Sequence, residues 1–170
     1  MQFLSSDETR RLRTELLDSE QELGAQWAAM PGRVVVPAEE VLDLDSDPDG
    51  ARILAAFATR GDEQLYCLTT SDLGAAQTDQ AALVALRDVD NWRSRHAPFD
   101  VVLAATDLAA AVLLSVDEFV LVGGEIRFVE SALGKSVAEG CAEFVSYATD
   151  MASASRHLPA LARRWCDDAS

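Results

Sequence analysis

Alternating aspartates followed by a glycine are the feature of this sequence closest to a metal site. They are Asp43, Asp45, Asp47, Asp49 and Gly50. An EF-hand calcium loop begins in this way, but it also needs a carboxylate at its twelfth position. Counting from Asp45, that position holds Ala56, and Pro48 interrupts the turn. We therefore predict an acidic linker that binds no metal ion and no cofactor, with calcium binding as the open alternative.

The same segment defines what we call the acidic face. Its six carboxylates are Glu39, Glu40, Asp43, Asp45, Asp47 and Asp49. The chain has 29 acidic and 14 basic residues, a formal net charge of −15. This charge disfavours nucleic-acid binding, since phosphate backbones are repelled, and it attracts cationic protein surfaces. The leading hypothesis is a non-enzymatic domain whose acidic face binds a basic protein partner, by the charge logic of immunity and inhibitor proteins. Solubility alone is the alternative explanation of the charge.

Three cysteines and two histidines are the other residues that commonly bind metals. They are Cys67, Cys141, Cys166, His96 and His157. The cysteines are odd in number and far apart, which is typical of free thiols in the reducing cytoplasm. The histidines lack metal-site spacing, so no zinc site is expected. The chain start lacks a signal-peptide pattern, and its most apolar stretch is too short to span a membrane, so we expect no membrane association.

Nucleophilic catalysis would need Cys67 or a serine close to His96 as the base, with an aspartate to orient it. Cys67 lies inside a predicted strand, where side chains usually face a core. The sequence contains no GxSxG, GxGxxG or Walker motif. We therefore favour a non-enzymatic protein, and catalytic activity stays unresolved.

One local excess of positive charge is a second candidate site. Its residues are Arg87, Trp92, Arg93, Arg95 and His96. Arginine forks and an aromatic face could hold a carboxylate or phosphate. Asp88 and Asp90 interleave with them, which also fits an amphipathic helix with Trp92 packed inward. The alternative function is thus a small-molecule-binding domain, or a hydrolase without a sequence signature, with a pocket between sheet and helices near residues 92–99.

The elements that position these residues are predicted from hydrophobic periodicity and capping signals. Strands are expected at 34–36, 65–70, 99–105, 111–114 and 119–122, the last two joined as a hairpin. Helices are expected at 7–30, after Asp47, at 79–87, around Trp92, after Gly124, after Ser136 and at 158–165. We predict one α+β domain over residues 1–170, with a four- to five-stranded, mainly antiparallel sheet. Helices at both ends of the chain are expected to pack mainly on one face of it.

The predicted long first helix carries an apolar seam. Its residues are Leu12, Leu16, Leu23 and Trp27. They recur at helical spacing, with charged residues on the other faces. If the monomer leaves this seam uncovered, we expect a homodimer through it.

Overall fold

A computed structural model describes residues 1–167, and its centre is a seven-stranded antiparallel sheet with the order β1-β6-β5-β7-β8-β9-β4. The strands of this sheet are β1 (Gln2–Phe3), β4 (Arg33–Glu39), β5 (Gln64–Thr69), β6 (Ala81–Ala85), β7 (Val101–Ala105), β8 (Ala110–Leu114) and β9 (Phe119–Glu125). A separate two-stranded hairpin consists of β2 (Leu17–Ser19) and β3 (Glu22–Leu23). The α+β prediction is confirmed, but the number of strands in the main sheet was underestimated.

Helices in the described part of the chain lie between these strands and after them. They are α1 (Ser6–Leu16), α2 (Ala25–Ala28), α3 (Pro48–Arg60), α4 (Val89–Arg95), α5 (Ile126–Leu133), α6 (Val137–Asp150) and α7 (His157–Cys166). A short 3-10 turn, Leu86–Asp88, precedes α4. None of these helices combines the length and apolar character needed to cross a membrane.

Several helix boundaries follow the capping signals of the sequence. Ser5 begins α1 and Ser136 begins α6, each in a complete capping box with the glutamate three residues later. Asp47 caps α3 through a hydrogen bond from the Asp49 amide, and Pro48 takes the first helical position. Gly61 ends α3 in the left-handed conformation, with φ 94°, which costs glycine little. Local chemistry therefore sets the start of α3 at Pro48, within the acidic segment.

The sheet is covered on both faces, which corrects the prediction of helices mainly on one face. Successive residues of a strand point to opposite faces, and β7 and β8 are buried at every position. One face packs against apolar residues of α3, α4 and α5. The other packs against residues of α1, α2, α6 and α7. The three-layer arrangement explains why the central strands are continuously apolar.

The predicted long helix over residues 7–30 is wrong. It ends at Leu16, because the β2–β3 hairpin turns the chain and the Asp18 carboxylate accepts a hydrogen bond from the amide of Ala25, at the start of α2. All four residues of the apolar seam, including Leu23 and Trp27, are buried in the single chain. The condition on which the homodimer prediction depended, an uncovered seam, is therefore not met.

The predicted helix over residues 79–87 is also wrong in type, because β6 occupies Ala81–Ala85. Its alanines and leucine favour a helix locally, but β6 pairs with β5 in an antiparallel register that places Leu65 opposite Val84. Strand pairing and burial outweigh a helix preference of a few tenths of a kcal/mol per residue. This strand and the short β1 account for the two strands beyond five.

Helix α6 packs beside the edge strand β4 and spans the two faces of the sheet. Its residues Val137 and Cys141 join the core of one face, whereas Phe144 and Ala148 join the core of the other. A Cβ atom on Gly140 would lie 3.2 Å from Cγ1 of Val36, so helix and strand are in close contact there. The edge strand is thus covered by a helix, which protects it from pairing with another chain.

Candidate functional site

The acidic segment runs from the end of β4 to the first turn of α3, and two of its aspartates build the loop itself. Asp43 accepts hydrogen bonds from the amides of Asp45 and Ser46, at 2.8 and 2.6 Å. The Asp47 carboxylate accepts hydrogen bonds from the amide of Asp49 at 3.0 Å and from the amide of Leu42 at 3.3 Å. The backbone hydrogen bonds from Ser46 and then Asp45 lower the pKa of Asp43. These two carboxylates therefore have a structural role.

Helix α4 anchors the loop from the side. The Asp90 carboxylate accepts a hydrogen bond from the amide of Leu44 at 3.0 Å, and the Leu44 side chain is fully buried. Arg93 donates to the carbonyl of Leu42 at 2.6 Å and to that of Val41 at 3.1 Å. These contacts fix the loop at its middle, so the remaining carboxylates are presented on an ordered backbone.

Three members of the acidic face, Glu39, Glu40 and Asp45, are exposed, and no side-chain partner contacts their carboxylates within residues 1–167. Asp49 differs, because Arg52 approaches it to 2.5 Å. The face is therefore partly neutralised at its α3 end and unpaired at its β4 end.

Tyr147 lies close enough to Glu118, Glu39 and Glu40 for their negative charges to act on its hydroxyl. Its hydroxyl donates to the carbonyl of Glu118 at 3.0 Å, across from the end of β4, where Glu39 pairs with Phe119. Burial raises the pKa of Tyr147, and the charges of Glu118, Glu39 and Glu40 raise it further. Sequence reasoning missed Glu118, because only the register of β4 on β9 brings it near the acidic face.

A cavity of about 200 Å³ opens beside Glu39, between the sheet and helices α3, α5 and α6. Its apolar walls include Val41, Ile53, Val120, Val122, Leu133 and Phe144. Its charged residues are Glu39, Asp49, Lys135 and Glu143. Lys135 and Glu143 form an ion pair, in which the Glu143 side chain is the more exposed partner. The cavity thus combines apolar walls with charged groups, among which Glu39 has no side-chain partner within residues 1–167.

The basic cluster predicted from sequence does not come together. The ring of His96 stacks on Trp92 with centroids 4.1 Å apart, and both side chains are buried. Arg93 holds the acidic loop, as described above. Arg87 and Arg95 are exposed on the surface, and their nearest side-chain partners are Asp88 and Met1. The structure thus buries Trp92 and His96, and the three arginines contact different partners.

The candidate nucleophile Cys67 is fully buried, and burial raises the pKa of its thiol far above the ordinary range. A thiol in such surroundings is unreactive, because the thiolate is the attacking species. Nδ1 of His96 lies 2.8 Å from the carbonyl oxygen of Trp92, and Nε2 lies 3.6 Å from Oδ2 of Asp79. Within the described residues, no three His, Cys, Asp or Glu side chains are grouped as a metal site would require. The described contacts of Cys67 and His96 therefore do not place a nucleophile next to a general base.

Comparisons with known proteins identify no relative from which a function could be transferred. No protein-family model matches the chain, and neither a curated protein nor a solved structure matches it. The acidic face and the cavity beside it are therefore the features from which we infer a function.

Proposed function

We propose that this chain is a non-enzymatic protein-interaction domain whose acidic face binds a cationic protein segment, as an immunity or inhibitor protein would, in the cytoplasm. The observation that carries the proposal is a group of exposed carboxylates, Glu39 at the end of β4, Glu40 after it and Asp45 on the loop held by α4, which have no side-chain partner within residues 1–167. A formal net charge of −15 adds a long-range field that accelerates encounter with positive partners.

The ordering of the loop supports binding over mere solubility. Solubility requires only that charges be exposed, and it does not need fixed positions. Here the Asp43 and Asp47 side chains, together with Asp90 and Arg93 of α4, fix the backbone that carries Asp45. The pairing of β4 with β9 fixes the backbone of Glu39. Pre-organised charges lose less conformational entropy on binding.

Charge neutralisation at the acidic face tests the proposal. The probe is a fluorescent peptide of six lysines around a central glycine, and the variant is Glu39→Gln, Glu40→Gln and Asp45→Asn combined. At low salt we expect the variant to bind roughly tenfold more weakly than the wild type, since each exposed charge pair contributes a few tenths of a kcal/mol or more. Fluorescence anisotropy measures both affinities, and salt should weaken wild-type binding.

The matched control replaces Glu15, Glu20 and Glu63 by glutamine. These residues are exposed and away from the acidic face, and no side-chain partner contacts them in residues 1–167. Both triple variants change the formal net charge from −15 to −12, because each removes three acidic side chains. The control should bind nearly as well as the wild type. An equal loss in both variants would show that only total charge matters, and the proposal would then be abandoned.

A further inference from the structure

We propose that the cavity beside Glu39 receives one apolar side chain of the cationic partner, with a lysine or arginine of the partner next to it. This inference rests on the proposed function, because it names the chemistry of the same partner. Its basis is a cavity that has apolar side chains in its walls and two members of the acidic face, Glu39 and Asp49, in its lining.

The volume of the cavity decides what class of occupant fits. At about 200 Å³ it is smaller than the ~300–1,000 Å³ of typical small-molecule and cofactor sites. It is close to the ~150 Å³ of an apolar cavity that binds benzene. A single leucine, isoleucine, methionine or phenylalanine side chain therefore fits better than a metabolite.

Small residues in rigid positions keep the cavity open. Ala38 of β4, Ala132 of α5 and Gly140 of α6 line it. A Cβ atom at Gly140 would lie 3.1 Å from Cδ1 of Leu133 and 3.2 Å from Cγ1 of Val36, so α6 is already in close contact with its neighbours. Further collapse of the walls onto the hollow is thus resisted by existing contacts.

The charges at the rim argue for a cation beside the apolar group. Arg52 contacts Asp49 at 2.5 Å, and Lys135 pairs with Glu143, so two rim carboxylates already have partners. Glu39 has none within the described residues, and Glu40 follows it in the chain. An apolar anchor in a pocket with charged groups at its rim is the usual arrangement of an interface hot spot.

Two peptides of equal charge test the anchor. Each has six lysines around one central residue, which is glycine in one and leucine in the other. On the wild type we expect the leucine peptide to bind about tenfold more tightly, because burying a leucine contributes roughly 1.5 kcal/mol or more. Ala38→Leu fills the cavity and should reduce this ratio to near one without loss of the glycine peptide. Ala132→Val is a second filling variant, for the case that Ala38→Leu does not fold.

Ala142→Leu is the matched control, because Ala142 is exposed on α6 and does not line the cavity. The leucine preference should persist in this variant.

Equal, salt-sensitive binding of both peptides to the wild type would overturn the apolar anchor and leave the proposed function standing. If neither peptide bound in a salt-sensitive manner, both would fail. A leucine preference that survives in Ala38→Leu would place the anchor elsewhere. If butylammonium bound as tightly as the leucine peptide, the occupant would be a small molecule and the inference would be overturned. If sedimentation showed a dimer that Ala38→Leu abolishes, the occupant would be a second copy of the chain, which would also overturn it.

Discussion

Replacing Gly50 by alanine is expected to lower the free energy of unfolding by about 3 kcal/mol or more. The added Cβ atom would lie 2.1 Å from the carbonyl oxygen of Asp43 and 2.7 Å from Cα of Leu44. Both are backbone atoms, so no side-chain rotation relieves the overlap, and either the loop or α3 must move. The same displacement would shift Asp45, so Gly50→Ala should also weaken binding of the six-lysine peptide.

Urea unfolding measures the effect, with Gly32→Ala as the control. Gly32 has φ 80°, and among the described residues, its chain neighbours apart, no atom lies within 4 Å of an added Cβ, so alanine there meets backbone strain alone. That strain is worth about 1–2 kcal/mol, clearly less than the expected loss at Gly50. If Gly50→Ala were as stable as the wild type, the close packing of the acidic loop on α3 would be incorrect.

Trp92→Ala should be the other strongly destabilising substitution, with a loss of about 3–5 kcal/mol. Trp92 is fully buried in the core between the sheet and α4, and its ring stacks on His96. Within residues 1–167, its buried indole nitrogen has no hydrogen-bond partner, and an unpaired buried donor costs free energy in the folded state. Trp92→Phe removes that unpaired donor and keeps most of the apolar volume, so it should cost less than about 2 kcal/mol.

Urea unfolding of the two Trp92 variants separates a core role from a binding role. We expect the order of stability wild type, Trp92→Phe, Trp92→Ala, with unchanged affinity of Trp92→Phe for the six-lysine peptide. A Trp92→Ala protein within 1 kcal/mol of the wild type, measured by the same unfolding curves, would contradict the placement of Trp92 in the core.

The parts of the fold that sequence predicted well are those fixed by local chemistry. The capping boxes at Ser5 and Ser136 and the Asp47-Pro48 start of α3 depend on residues three or fewer positions apart. The hairpin of β8 and β9 likewise follows from two apolar runs with four residues between them. Such signals act over a single turn, so they can be identified without knowing the tertiary structure.

The errors arise where long-range contacts outweigh local preference. Leu12, Leu16, Leu23 and Trp27 share a helical period, yet the first two lie on α1, Leu23 lies in β3 and Trp27 lies on α2. All four pack in the core on one face of the sheet. The alanine-rich β6 became a strand because β5 and β1 pair with its two sides. Hydrophobic periodicity indicates which residues are buried more reliably than which partner buries them.

In the candidate site, too, some features follow from local sequence and others from long-range contacts. The six carboxylates from Glu39 to Asp49 lie within one short segment, so the sequence alone shows that they are neighbours along the chain. Glu118 and Glu143 come near them only through the β4–β9 register and the path of α6. The cavity depends on three small residues from three different elements, and no sequence pattern reveals such a gap. The basic cluster failed to converge because Arg93 donates to the acidic loop and His96 packs on Trp92.

The most direct test of the acidic face is chemical-shift mapping of the isotope-labelled protein during titration with the six-lysine, central-glycine peptide. The expected result is a contiguous set of salt-sensitive shifts at Glu39, Glu40 and Asp45, extending to Glu118 and Glu143. Shifts concentrated instead around Asp18 and Glu22, or scattered over all exposed carboxylates, would contradict a cation-binding site at this face.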